Sequence, residues 1–96
     1  MRQAYIIAYD VCDKKRLRKV YKIVRGYGDH VQYSVFRCEL NKRALIELRT
    51  KLRDAIHNGV DQVMVVDIGP ASGRANNCIT TLGKPVLFLE RSALVV

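Results

Sequence analysis

Ala4-Tyr5-Ile6-Ile7-Ala8-Tyr9-Asp10 decides how this chain begins to fold. Its apolar and aromatic residues suit a pleated, buried strand, and the run is too short for a stable helix. The strand ends on a carboxylate. Stiff extended backbone holds such a group, so it can fix a metal ion or a proton in one geometry. Val11-Cys12-Asp13 follows, and then seven cationic side chains between Lys14 and Arg25. A hard-metal ligand beside a phosphate-attracting surface is what phosphodiester chemistry needs.

Working outward, Asp13 suits a helix N-cap. Leu17, Val20, Tyr21 and Val24 follow the i, i+3, i+4, i+7 spacing of a buried helical stripe. Lys14, Arg18, Lys22 and Arg25 fall together on another face of that helix, and Gly26 and Gly28 end it. Residues 29–40 read as strand. Val31, Tyr33 and Val35 share one phase, while Phe36, Cys38 and Leu40 take the other, which predicts a bulge or a break near Ser34. Asn41 caps a second helix with Leu45, Leu48, Leu52 and Ile56 as its buried stripe, ended by Asn58-Gly59. Residues 61–69 form a third strand, in which Val63-Met64-Val65-Val66 suits burial on both faces. Residues 70–77 read as a loop and 78–82 as a short strand. Lys84-Pro85 breaks the chain before a last strand, Val86-Leu87-Phe88-Leu89.

This order predicts one α+β domain over residues 1–96: a βαββαβ sandwich with two helices on one face of an antiparallel sheet and an extra C-terminal strand. The other sheet face needs cover, and a sheet-to-sheet homodimer is the simplest supply. With 96 residues the core is thin, so a second protomer would also help stability. The net charge is +8, and thirteen of the seventeen Lys and Arg lie between Lys14 and Arg53, which favours a polyanionic partner over a merely solubilising surface. Cys12, Cys38 and Cys78 are scattered, with no C-x-x-C pair, so a disulfide framework and a zinc site are both disfavoured and a reducing cytoplasm is expected. No apolar run approaches the ~20 residues of a membrane span. The apolar run after Arg2 is too short for a signal-peptide core.

Several motifs together resemble the CRISPR-associated protein 2 family, the small endoribonuclease-like subunit of the CRISPR adaptation module. They are Tyr9-Asp10-Val11, Asp13 with its basic helix, Tyr27-Gly28, Val31-Gln32-Tyr33-Ser34-Val35-Phe36, Asp61-Gln62-Val63 and Leu82-Gly83. They cover nearly the whole chain in order. The resemblance implies a ferredoxin-like fold in which two protomers pack sheet to sheet and segment 85–96 packs on the partner. It implies that Asp10 binds Mg²⁺ at the dimer interface and serves a metal-dependent endonuclease on RNA or DNA. It also implies a structural alternative, in which the dimer bridges integrase subunits (CRISPR-associated protein 1) and holds prespacer DNA. His30 stands where the family often carries Arg, which weakens a cationic transition-state contact there.

Each candidate has a plainer reading. Asp10 could pair with a lysine; as a metal ligand it needs its symmetry mate, because Mg²⁺ usually takes one or two carboxylates plus waters or phosphate oxygens. Asp13 is a helix cap, or else a water-mediated contact to the metal. Lys14, Arg16, Arg18, Lys19, Lys22 and Arg25 are dense enough to favour phosphate contacts, which position a duplex without reading its sequence. Gln32, Ser34, Phe36, Val86 and Phe88 are expected to build the sheet and dimer interface. No His and Asp sit where they would make Ser34 a nucleophile. His30 is a surface residue or a proton donor, and His57 complements a helix end.

Overall fold

The computed structural model describes residues 2–84. Strand β1 (Gln3–Asp10) leads to helix α1 (Lys14–Arg25), then strands β2 (Gly28–Gln32) and β3 (Val35–Leu40), helix α2 (Lys42–Ala55) and strand β4 (Gln62–Pro70). The sheet order is β2-β3-β1-β4 and every neighbouring pair is antiparallel. This is the expected βαββαβ, ferredoxin-like arrangement. The first strand made is thus an interior strand of the sheet, hydrogen-bonded on both edges. Residues 74–76 add a short 3₁₀ turn after β4.

Both helices pack on one face. Tyr5, Ile7 and Tyr9 of β1 alternate onto that side and meet Phe36, Cys38 and Leu40 of β3, Val20 and Val24 of α1, and Leu48 and Leu52 of α2. Phe36, Ile7, Leu48, Val20, Val24 and Cys38 are fully buried. At about 1.5–3 kcal/mol per large apolar side chain, these few residues supply much of the driving force of a small domain. The two N-caps are as the residue types predict. Asp13 accepts from the Arg16 N–H at 2.9 Å, and Asn41 Oδ1 accepts from the Ala44 N–H at 2.8 Å.

The opposite face carries Ala4, Ile6, Ala8 and Asp10 of β1. By register it continues through Val66, Met64 and Gln62 of β4 and Glu39, Arg37 and Val35 of β3. Met64 and Val66 remain 53% and 39% exposed. Arg37 Nη1 donates to Glu39 Oε2 at 2.7 Å along this face.

The sequence-based expectations need correction at several points. Val63–Val66 is not buried on both sides: Val63 and Val65 pack on the core and the alternate residues do not. Phe36 is fully buried on the helix side, where it packs against Tyr21 and builds the core. The strand break falls where it was expected, at Tyr33–Ser34, with an extra residue, Val31, between His30 and Gln32 in the ladder. Tyr33 therefore leaves the phase of Val31 and Val35. It sits in the turn, 89% exposed, with φ +35°. Gly26 caps α1 in right-handed conformation, while Gly28 already belongs to β2. A Cβ on Gly28 would collide with the Arg37 carbonyl and Cys38 Sγ, so this glycine is required by close strand approach and not by helix termination. Helix α2 stops at Ala55, with Ile56 extended, before Asn58-Gly59 is reached. Residues 78–82 form no strand. The expected strand 86–89, with Val86, Phe88 and the partner-packing segment 85–96, lies outside the described residues.

Candidate nucleic-acid interface and metal-binding carboxylate

Helix α1 is amphipathic because its apolar residues recur at helical spacing. Val20 and Val24 anchor it to the sheet, and Lys14, Arg18, Lys19, Lys22 and Arg25 are left exposed on its outer side. The helix has no acidic residue in its first turn, and Lys22 and Arg25 lie in its last. The helix itself holds no acidic residue, so its outer side is a run of cations over three turns, a surface that attracts phosphates.

Arg16 is placed differently from the other five. Its Nε donates to Asp61 Oδ2 at 2.7 Å and its Nη2 to Asp61 Oδ1 at 3.2 Å. The Asp61 side chain has no exposure to solvent, and it also accepts from the His57 N–H at 2.8 Å. Arg16 first, and the His57 amide second, hold the Asp61 carboxyl below its ordinary pKa. The same hydrogen bond holds the Arg16 guanidinium above its own. The pair ties the start of α1 to the entry of β4. No local pattern announces it, because the partners lie 45 positions apart. His57 takes part through its backbone.

Asp10 ends β1 on the face away from the helices, opposite Gln62, and is exposed. Among the described residues no group of three or more His, Cys, Asp and Glu could hold a metal ion. The Asp13 carboxylate caps α1 and lies 4.0 Å from Arg16 Nη1. An exposed carboxylate is a hard oxygen donor, and Mg²⁺ is usually held by one or two such groups together with waters or phosphate oxygens.

On the helix side of the same sheet end, the β2–β3 turn is pinned from two directions. His30 Nε2 lies 2.6 Å from the Tyr33 carbonyl, and since a carbonyl only accepts, Nε2 carries the proton. The Ser34 carbonyl accepts from the Tyr9 N–H at 3.1 Å. The His30 ring packs against Phe36 and Tyr21, at 4.9 and 5.5 Å between centroids. His30 is therefore a brace for the turn. Burial, with Tyr21 adding to it, raises the Tyr9 phenol above its ordinary pKa, and a hydrogen bond to Ser34 partly offsets this. Gln32 ends β2 and is exposed. Tyr9, Tyr21, Tyr33, Ser34, Leu17, Lys14 and Arg18 line an open groove of about 440 Å³. Its apolar bed was not visible in the sequence, because Tyr9 of β1 and Leu17 and Tyr21 of α1 are brought together only by the fold. No helix among the described residues is long and apolar enough to cross a membrane.

Comparison with known proteins fits this geometry. The family described as CRISPR associated protein Cas2 matches residues 3–74. A CRISPR-associated endoribonuclease Cas2 of Rhodospirillum rubrum is 40% identical over 93 residues, which is 97% of this chain and 90% of that protein. One from Geobacter sulfurreducens is 29% identical over the full length of both. Among solved structures, Streptococcus pyogenes Cas2 superposes with a TM-score of 0.72 at 27% identity, covering 83% of this chain and 99% of its own. A hypothetical protein of Thermus thermophilus gives 0.76 at 32% identity, covering 91% and 98%. The shared fold and the match over most of the sequence converge: this chain belongs to the Cas2 family.

Proposed function

We propose that this protein is a homodimeric, nucleic-acid-binding subunit of CRISPR adaptation, acting in the cytoplasm on DNA or RNA and with the integrase subunit, CRISPR-associated protein 1. The observation that carries this is the division of labour between the two faces of the sheet. The helix face ends in an exposed cationic surface on α1. The other face presents Ile6, Ala8, Met64 and Val66, with Asp10 at its end. Pairing two such faces buries the apolar strip and brings two Asp10 carboxylates toward one axis, while both α1 surfaces stay outside for phosphates.

In this arrangement Lys14, Arg18, Lys19, Lys22 and Arg25 hold the backbone of a nucleic acid without reading its sequence. Arg16, neutralised by Asp61, fixes the angle of α1 instead. The two Asp10 side chains would hold Mg²⁺. The ion supplies polarisation of a phosphodiester and a more acidic water. Membership among proteins named endoribonucleases supports a hydrolytic capacity. The alternative is a scaffold that bridges integrase subunits and holds prespacer DNA without cutting it, a reading that the exposed cationic surface of α1 supports equally.

The binding half is tested by titrating a duplex at several salt concentrations. Log affinity of the parent should fall by ~0.9 per log unit of salt for each phosphate neutralised. An Arg18→Glu/Lys22→Glu variant should bind all sequences more weakly and with a shallower slope. Unchanged affinity and slope would return the α1 surface to an ordinary solvated face.

A further inference from the structure

We infer that the groove between α1 and the β2–β3 turn is a binding site for a single unpaired nucleotide, with the base stacked on Tyr33 and its phosphate held by Lys14 and Arg18. This deepens the nucleic-acid reading above and rests on it. Three features converge here. The groove bed is aromatic and apolar, formed by Tyr9, Tyr21 and Leu17, whereas the rest of the α1 surface is a field of cations. Lys14 and Arg18, four residues apart and so one above the other on the helix, stand at its rim. Tyr33 closes it as an almost fully exposed ring on a backbone that is not free to relax.

The turn makes Tyr33 more than a loose surface aromatic. A bulky residue at φ +35° is uncommon and is kept only where its surroundings over-determine it. Those surroundings are the His30 imidazole on the Tyr33 carbonyl and the Tyr9 amide on the Ser34 carbonyl. The His30 ring, exposed on its outer side, in turn packs against Phe36 and Tyr21. The phenol ring is thus presented from a fixed base, so stacking a ligand on it costs little ordering. The pocket is too apolar for an inorganic anion alone and too cationic at its rim for a neutral peptide. A base offers a π-face to the tyrosine and its phosphate offers charge to the rim. Inside a duplex both faces of a base are stacked on its neighbours and its edge is paired, so the occupant that fits the groove is an unpaired nucleotide at a strand end, overhang or loop.

The test compares a short single-stranded oligonucleotide, the same strand with abasic sites, and a blunt duplex, using Tyr33→Phe and Tyr33→Asn variants. Asn tolerates left-handed backbone and keeps the turn while removing the ring. Tyr33→Asn should weaken single-strand binding about 5- to 100-fold, the range of one lost base–aromatic stack. It should leave the abasic strand and the blunt duplex within about twofold, and Tyr33→Phe should bind like the parent. Equal single-strand affinity for Tyr33→Asn and parent, or equal loss on the abasic strand, overturns the groove as a base site. That result is compatible with an intact response of Arg18→Glu/Lys22→Glu on duplex, whereas a parent that binds neither nucleic acid overturns both readings.

Discussion

Asp10 and Asp61 show how one residue type is put to two uses by its place in the fold. Asp61 is enclosed by Arg16 and the His57 amide, and its pKa is lowered in the native state. The sign of the pH effect follows. In the unfolded chain the carboxyl titrates near ~3.9. Above that pH the ionised form favours folding, and this contribution is lost as pH falls through the lower native value. Asp61→Asn should therefore melt below the parent at pH 7, with the gap closing as pH drops below about 4. A thermal-melt series showing a constant gap would contradict the assignment. Asp10, exposed at a strand end, carries no such structural duty. Asp10→Asn should leave the melting temperature near the parent's, and any Mg²⁺-dependent cleavage should fall on the order of 10²- to 10³-fold, the worth of several kcal/mol of charge stabilisation. Cleavage at the parent rate would remove Asp10 from the mechanism. Asp10 was legible in the sequence because it punctuates an apolar run. The Asp61–Arg16 pair was not, because a salt link between distant positions leaves no periodic trace.

At the level of elements, the sequence determined what local chemistry can determine. Both N-caps and the core stripes of both helices were readable, since a cap is a single short-range hydrogen bond and a stripe is a period. Errors arose where a tertiary contact overrides the local signal. Asn58-Gly59 is a strong stop signal, yet α2 ends earlier, because Ile56 turns extended and Asp61 draws the His57 amide into its own hydrogen bonds. Gly28 looked like part of a helix stop, but its role comes from β3 passing too close for a side chain. Tyr33 looked like a strand residue because its neighbours alternate; the phase reversal at Val35–Phe36 was the signal of the turn, and only the ladder register fixes it at Tyr33–Ser34.

For the whole molecule, the helix-free side of the sheet carries the assembly prediction. Val66 stands opposite Ile6 at its centre. The full chain should sediment as a dimer at micromolar concentration. Val66→Asp would put a charge into that surface and should shift the boundary to monomer while far-ultraviolet dichroism is kept, since the helix-side core is untouched. A parent that sediments as a folded monomer would remove the shared Asp10 site along with the dimer. The topology was predictable from element order and the antiparallel rule, but strand order was decided by which edges hydrogen-bond. That order has a consequence during synthesis. Of the described elements β1 leaves the ribosome before the others, yet both of its neighbours, β3 and β4, are made later. At about 5–20 residues per second, roughly 3–12 s separate the emergence of β1 from that of the last residue of β4. Throughout that interval the nascent chain carries an apolar strand with at least one open edge, so this small protein depends on uninterrupted translation, and a stall before β4 leaves a fragment suited to aggregation and to proteolytic clearance.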